Sequence, residues 1–531
     1  MQNLTLGLVF IPMILAVVIY LLDRRFINRI SLLIQPVLIL MTLLLFKEVH
    51  MSGEISFVLS GWARGVGIGL HVDQTSIVFM ILTTIGMTYS IAYDWVSHRD
   101  DHKYLFFLLF MEGAILALFQ AADIFTVFIL LELVTILAGI LITYKKEGIS
   151  VKAGLYYLLV NSVGMTIYLM GVIFIYNSTG VLDMVLLSEI LNASAPTTIQ
   201  YAALGAFITA FAIKSALFPV SSWLPLAHGS APTQISAFLS GLLVKIGIYG
   251  LLRVMSMFGQ VTYFNLILVF GIATSLFGVG MAMLQKDIKL ILAYHTISQV
   301  GLMVIGLASG TEAGYLGSVL HIVNHFLFKS LLFLGAGAVI LIYGTRDIRK
   351  IRGLFKTHPL ISIGLLIGVF GITGAPLFNG SLSKYLIGQS LYGRYAEYSL
   401  YLINIGTLIS FMKFSQILFG DSIHENANAV DAWKCGSIIG MSLLMLATYP
   451  LELIYVKNYE AVKFTTESLS GSAIKYFVLS IVAYLIYKKI LSPLLKKKPE
   501  LGLSRLGFQA ANAMILVFLT TMWGYFLLIM P

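Results

Sequence analysis

Glu132, Lys214, Lys245 and Lys384 each sit deep inside an apolar stretch of this chain, and His321, His325 and Lys329 repeat at four-residue spacing inside another. A charge at the centre of a membrane-spanning helix costs about 2.5–3.5 kcal/mol even on the gentlest scale, so chains that carry several turn them toward a polar path. Carboxylate, ammonium and imidazole groups all exchange protons. With no other reactive constellation in the sequence, they point to a route for protons or cations.

Each residue type has its own use. Glu132 is at mid-helix with no charged neighbour within a turn (FILLELV, 128–134). Burial disfavours its charge and a nearby lysine would favour it, so the group is poised to load and release a proton. Lys214 and Lys245 are lysines removed from water, which exchange protons more readily than solvated ones. Snorkelling toward a headgroup suits Lys413 and Arg253 better, since both lie toward helix ends. His321, His325 and Lys329 share one helical face. Paired histidines at that spacing can bind metal, but no cysteine or carboxylate lies nearby and the face ends in a lysine, so a proton relay through water is expected, with no metal and no cofactor. His295 adds a polar face to the helix before it. Glu112 is a second intramembrane acid, read equally as a proton inlet or as a local ion-pair partner.

The elements that must hold these residues are membrane helices. The 531 residues are 59% hydrophobic and only 11% charged, with a mean hydropathy of +0.93, too little charge to coat a soluble domain. Net charge is +10, but the basic residues are scattered over short loops, such as Arg346 to Lys356 and Lys496 to Lys498. The positive-inside rule produces that distribution without nucleic acid. One cysteine, Cys435, excludes a disulfide framework and Cys-rich metal centres. The first apolar run lacks a small-residue cleavage signal and is expected to be a spanning helix. No P-loop and no dinucleotide-binding glycine fingerprint occurs, so any driving force is an ion gradient or a partner protein.

Apolar runs from 5–22 to 508–530 predict an all-α polytopic membrane protein of about 14–16 transmembrane helices. Two crossings are interrupted by proline and glycine, the seventh at PVSSWLP (219–225) and the twelfth at GITGAPLFNG (371–380). Broken helices at matching places in two halves indicate inverted repeats around a transport path. The expected division is residues 1–95 (helices 1–3), 104–256 (first five-helix repeat), 262–420 (second repeat) and 434–531 (C-terminal helices).

These residues, in this order, resemble the antiporter-like subunit family: the large membrane subunits of respiratory complex I, of Mrp-type cation/proton antiporters and of membrane-bound hydrogenases. The stretch KSALFPVSSWLPLAHGSAPTQISAFLSGLLVKIGIYGLLRV (214–253) carries the resemblance. HTISQVGLMVIGL (295–307), HIVNHFLFKSLLFLGAGAVI (321–340) and GITGAPLFNGSLSKYLIG (371–388) continue it. GWARGVGIGLHVDQTSIVF (61–79) is closer to the Mrp and hydrogenase branch. Leu226 departs from the pattern, where the family usually has an acid after Trp-Leu-Pro.

The resemblance implies that Glu132 and Lys214 form an ion pair and that Lys245, His321, His325 and Lys384 extend it. It further implies protons, with sodium as the alternative, moving in a multi-pass chain of the cell membrane among other membrane subunits. Redox chemistry in those partners or an ion gradient would drive the movement. A channel subunit of an uptake system for inorganic carbon or another small solute, and a quinone-interacting oxidoreductase subunit, are the competing readings.

Overall fold

The computed structural model describes residues 2–61, 65, 67–259, 264–421, 429–459, 466–493 and 507–529. Trp62 to Arg64 and Val66 of the 61–79 motif, and Lys496 to Lys498, lie outside these. In chain order the elements are α1 (Gln2–Leu22), α2 (Arg25–Leu33), α3 (Gln35–Ser52), a hairpin of β1 (Ile55–Val58) and β2 (Gly69–Val72), α4 (Gln74–Tyr93), α5 (Trp95–His98), α6 (His102–Leu118), α7 (Ile124–Thr143), α8 (Gly148–Thr179), α9 (Met184–Ala193) and α10 (Thr198–Lys214). Then come α11 (Trp223–Ser230), α12 (Thr233–Phe238), a π turn (Leu239–Leu243), α13 (Val244–Phe258), α14 (Phe264–Leu284), α15 (Ile288–Leu307), α16 (Glu312–Tyr343), α17 (Leu354–Thr357), α18 (Pro359–Thr373), α19 (Asn379–Ser390), α20 (Ala396–Ser415), α21 (Ala432–Lys457), α22 (Thr466–Ile486) and α23 (Phe508–Ile529).

Among the described residues, 12 helical stretches are long and apolar enough to cross a membrane, and Met184–Ala193, Thr198–Lys214 and Pro359–Thr373 are apolar but shorter. The last two are the first halves of the interrupted crossings. Helix seven ends at Lys214 and resumes at Trp223; helix twelve ends at Thr373 and resumes at Asn379. Helix twelve stops where the sequence places the break, on Gly374 in the left-handed region. Helix seven stops earlier than the prolines, at Lys214, with Ala216 at φ +56° and Pro219 inside the gap. The antiparallel hairpin, in register Ile55↔Val72, falls in a polar stretch from which the sequence predicts no strands.

The chain divides into two compact units: Met1–Ser215 with Ser230–Thr262 and Leu506–Pro531, and Ala216–Gly229 with Tyr263–Arg505. Each contains the same local design. In the first, Asp123 caps α7 by accepting from the N–H groups of Phe125 and Thr126, and bridges to Asp183 after the 32-residue helix α8. In the second, Asp287 caps α15 through Lys289 and Leu290, and bridges to Asp347 after the 32-residue α16. Both long helices end on a glycine in the left-handed region, Gly180 and Gly344. Most loop aspartates are thus occupied as helix N-caps, where a carboxylate meets orphan N–H groups and the positive end of the helix dipole.

Two residues read as snorkelling are held otherwise. Arg253 makes a bidentate pair with Asp73, at 2.6 and 2.8 Å, and its guanidinium lies 4.8 Å from the centroid of the Tyr249 ring. Lys413 is buried, and its ammonium donates to the carbonyls of Ala282, Met283 and Gln285 at the C-terminal end of α14. In both cases a partner inside the protein replaces the lipid headgroup. Lys289 is buried in the first turn of α15.

Burial pushes the Asp73 carboxyl up from its usual 3.8, but the hydrogen bond and charge of Arg253, with the Ser76 N–H, outweigh it and hold the group at about 2. A carboxylate held low contributes stability that is complete above the unfolded value and is lost as pH falls through the folded one. The pair is therefore expected to contribute about 2 kcal/mol that disappears between roughly pH 4 and pH 2. Thermal unfolding of purified protein should show this acid loss in the wild type and not in Asp73→Asn. Equal acid sensitivity in the two would contradict it.

Candidate functional site

In the first unit the site starts on α7. Glu132 is half-buried at mid-helix, and Thr135, buried, is three residues on along the same face. Lys214, the last residue of α10, is buried where the helix stops, and its ammonium donates to the Thr135 hydroxyl. The expected Glu132–Lys214 contact is therefore not closed to ion-pair distance, although the two charges act on each other through space. The hydroxyl one turn away takes the ammonium instead.

Lys245 is fully buried at the second position of α13, immediately after the π turn. Its ammonium donates to the Ser240 carbonyl inside that turn. Widening of one helical turn shifts the register of the residues that follow, a feature common at functional sites. Here it gives a buried ammonium a backbone acceptor on its own helix.

The second unit gathers the histidines with Lys329, Lys384 and Lys413. His321 contacts Ser383 through Nδ1 at 3.0 Å and Gln299 through Nε2 at 3.1 Å, which links α16 to α19 and α15. Its ring centroid is 6.3 Å from that of His325. Lys329, a further turn along, donates to the Leu292 carbonyl on α15 at 2.6 Å. The three residues at four-residue spacing are all fully buried.

His295 is also fully buried, packed 4.6 Å from the Phe411 ring, and neither of its ring nitrogens has a hydrogen-bond partner among the described residues. The positive charges of Lys329, Lys413 and Lys384 all act on it.

Lys384, on α19, reaches back across the break of helix twelve to the Ile372 carbonyl in the last turn of α18, at 2.7 Å. An ammonium at the C-terminal end of a half-helix meets free carbonyls and the negative end of the dipole. Lys384 also lines a cavity of about 840 Å³ together with Glu397, Tyr401, Asn404, Tyr449 and Tyr476.

Glu112 stands apart from both sets. It is fully buried on α6 and accepts from the Gln35 side-chain amide on α3 at 2.9 Å. Its partner is an amide rather than a cation, which corrects the ion-pair reading.

Sequence reasoning missed Thr135, Gln299, Ser383, Asn324 and Glu452. Four of these are small polar residues that lie within four positions of a candidate charge on the same helix, a signal that local inspection could have used. Glu452 follows Pro450 near the end of an apolar run, where an acid reads as a membrane-surface residue. In the structure it is buried, and it accepts from the Asn324 amide at 3.1 Å.

Comparison with known proteins supports the same grouping. Residues 121–411 match the family described as NADH:quinone oxidoreductase/Mrp antiporter, transmembrane. The chain is 32% identical over 414 residues, 76% of this chain and 83% of the relative, to a subunit of the Na(+)/H(+) antiporter of Alkalihalophilus pseudofirmus. Its fold is similar to that of a chain in the Mrp complex from Dietzia sp. DQ12-45-1b, with a TM-score of 0.80 and 22% identity over 91% of this chain and 98% of that one. It is equally similar to a chain of the membrane-bound sulfane sulfur reductase, an archaeal respiratory membrane complex, with a TM-score of 0.80 and 23% identity over 91% and 99%. This multi-span membrane chain belongs to the NADH:quinone oxidoreductase/Mrp antiporter transmembrane family.

Proposed function

We propose that this chain is a proton- or sodium/proton-translocating subunit of a multisubunit complex in the cell membrane. The observation that carries the reading is the placement of enclosed ammonium groups at helix interruptions: buried Lys214 where helix seven stops, buried Lys245 after the π turn and half-buried Lys384 across the break of helix twelve. Each donates to a neutral oxygen: Lys214 to the Thr135 hydroxyl, Lys245 to the Ser240 carbonyl and Lys384 to the Ile372 carbonyl. An ammonium on a neutral oxygen can release its proton without stranding an anion on that acceptor.

Lys214 has two resting places one turn apart, the Thr135 hydroxyl and the Glu132 carboxylate. Moving between them changes the free energy of holding its proton by on the order of 1–4 kcal/mol, enough to gate a transfer. The proton then passes to Lys245. In the second unit, Lys329, His295, His321 and His325 carry it to Lys384, and the cavity beside Lys384 provides an outlet. The likeness to a subunit of an Na(+)/H(+) antiporter supports sodium as the ion exchanged.

The drive comes from partner subunits, and their identity is open to a direct test. Native assemblies extracted in mild detergent and identified by mass spectrometry are expected to contain other membrane subunits of antiporter type. Recovery with iron–sulfur or other redox subunits would instead make this a module driven by electron transfer. Recovery of the chain alone would contradict the proposal.

A further inference from the structure

In the second unit Lys289, Lys329 and Lys413 are buried and Lys384 is half-buried, together with buried histidines, and Lys475 lines the cavity that Lys384 lines. Among its described residues Glu452 is the sole buried carboxylate. Positive charges confined in a medium of low dielectric repel an incoming proton strongly unless an anion is available. In the first unit Glu132 can serve as that anion; none of the lysines and histidines of the second unit can.

We propose that Glu452 is a proton-carrying carboxylate of the second unit, receiving the proton from the histidine and lysine set and passing it toward the cavity beside Lys384. The inference rests on the translocation reading above.

Its geometry supports the role. Glu452 Oε2 accepts from Asn324 Nδ2 at 3.1 Å, while Oε1 is buried and has no hydrogen-bond partner among the described residues. No cation stands within ion-pair distance of it among them. A carboxylate retained only for structure would have its lone pairs satisfied. One held in the membrane with an open oxygen has a place for a proton.

Asn324 lies between His321 and His325 on α16, and the same amide nitrogen also donates to the Asn379 carbonyl at 3.0 Å. Ser383, the partner of His321, donates to the neighbouring Gly380 carbonyl at 3.3 Å. The histidine thread and the carboxylate thread thus close on consecutive carbonyls at the start of α19, one turn before Lys384. On the other side Tyr449, one turn before Glu452, lines the cavity that Lys384 lines. Pro450, within α21, removes a backbone donor two residues from the carboxylate.

The chemistry is a simple transfer. An N–H bond of a histidinium or of the Lys384 ammonium breaks, an O–H bond forms at Oε1, and the neutral acid then gives that proton to water in the cavity. On the elements packed against α21, the ionisable groups are His321, His325 and Lys329 in the middle of α16 and Lys384 and Tyr385 on α19, with none on α18. Glu312 and Tyr315 open α16 and Tyr343 closes it. Tyr449 is the neighbour on α21 itself.

The test uses the complete complex in membrane vesicles. Glu452→Gln is expected to assemble and to lose proton movement by roughly 10²-fold or more, the scale of a lost proton-transfer group, with Glu452→Asp recovering part of it. A hydrophobic carbodiimide, which couples to protonated carboxyls shielded from water, should label Glu452 in the wild-type complex, with labelling that falls as pH rises. That measurement needs no variant and decides the matter if Glu452→Gln fails to assemble. Wild-type movement in Glu452→Gln, or no labelling of Glu452 at any pH, overturns the inference. If Lys214→Ala is inactive in the same vesicles, the translocation reading survives that outcome. If Lys214→Ala also moves protons normally, that reading falls as well.

Discussion

Lys214→Ala and Glu132→Ala are each expected to abolish ion movement by the complex while leaving its assembly largely intact. Lys214 is the last helical residue before the break, so its side chain can be removed without breaking a backbone hydrogen bond. The Thr135 hydroxyl it leaves behind already donates to the Leu131 carbonyl at 2.6 Å. Truncation therefore strands one weak acceptor at a cost of about 1–3 kcal/mol, which a chain with this much buried surface can absorb. The transport step loses its carrier completely. Glu132→Ala removes the alternative site for the same ammonium, so Lys214 remains on Thr135. Thr135→Val should be milder, since it takes away one resting place and keeps the carboxylate. Blue-native gels and vesicle proton uptake on the same preparations separate the two effects. Wild-type uptake in both alanine variants would remove the ion pair from the mechanism.

Gly380→Ala is expected to disable the second unit by a different route. A Cβ at Gly380 would lie 1.9 Å from the Gly371 carbonyl oxygen and 3.0 Å from its carbon, which are backbone atoms of the half-helix before the break. Backbone cannot swing aside as a side chain can, so the two halves of helix twelve must separate. Overpacking of this kind typically costs about 1–3 kcal/mol, sometimes more, and here it moves the helix that carries Lys384. Gly388 on the same helix has nothing within 4 Å of its Cβ position, and Gly388→Ala is the matched control. Loss of thermal stability and ion movement in Gly380→Ala, with neither lost in Gly388→Ala, is the expected pattern. Equal behaviour of the two would show that the break tolerates opening.

Much of the fold was legible because its signals are local. Proline and glycine at 219–225 and 371–380 mark helix interruptions whatever surrounds them. Apolar length marks membrane helices just as directly, and the charges inside those runs stand out against them. What was not legible depends on what lies across from a residue. Lipid and protein interior are equally apolar, so hydropathy cannot tell an enclosed helix from a lipid-facing one. That is why Lys413 and Arg253 read as snorkelling residues although one caps α14 and the other pairs with Asp73. The same blindness hid Glu452, whose partner Asn324 is 128 positions away in the sequence. The resemblance implies a Glu132–Lys214 pair whose opening gates transfer, and the ammonium resting on the Thr135 hydroxyl one turn away was not legible from either residue's own sequence neighbourhood.

Sodium-driven proton movement across everted vesicles containing the complete complex, followed with a pH-sensitive dye, tests the central claim most directly. Wild type should be compared with Lys245→Met, which keeps the length of the buried side chain and removes its charge. The account predicts a sodium-induced pH change in wild-type vesicles and none in Lys245→Met vesicles holding the same amount of assembled complex. An equal response in the two would show that ions cross by a path that does not use this chain's buried lysines.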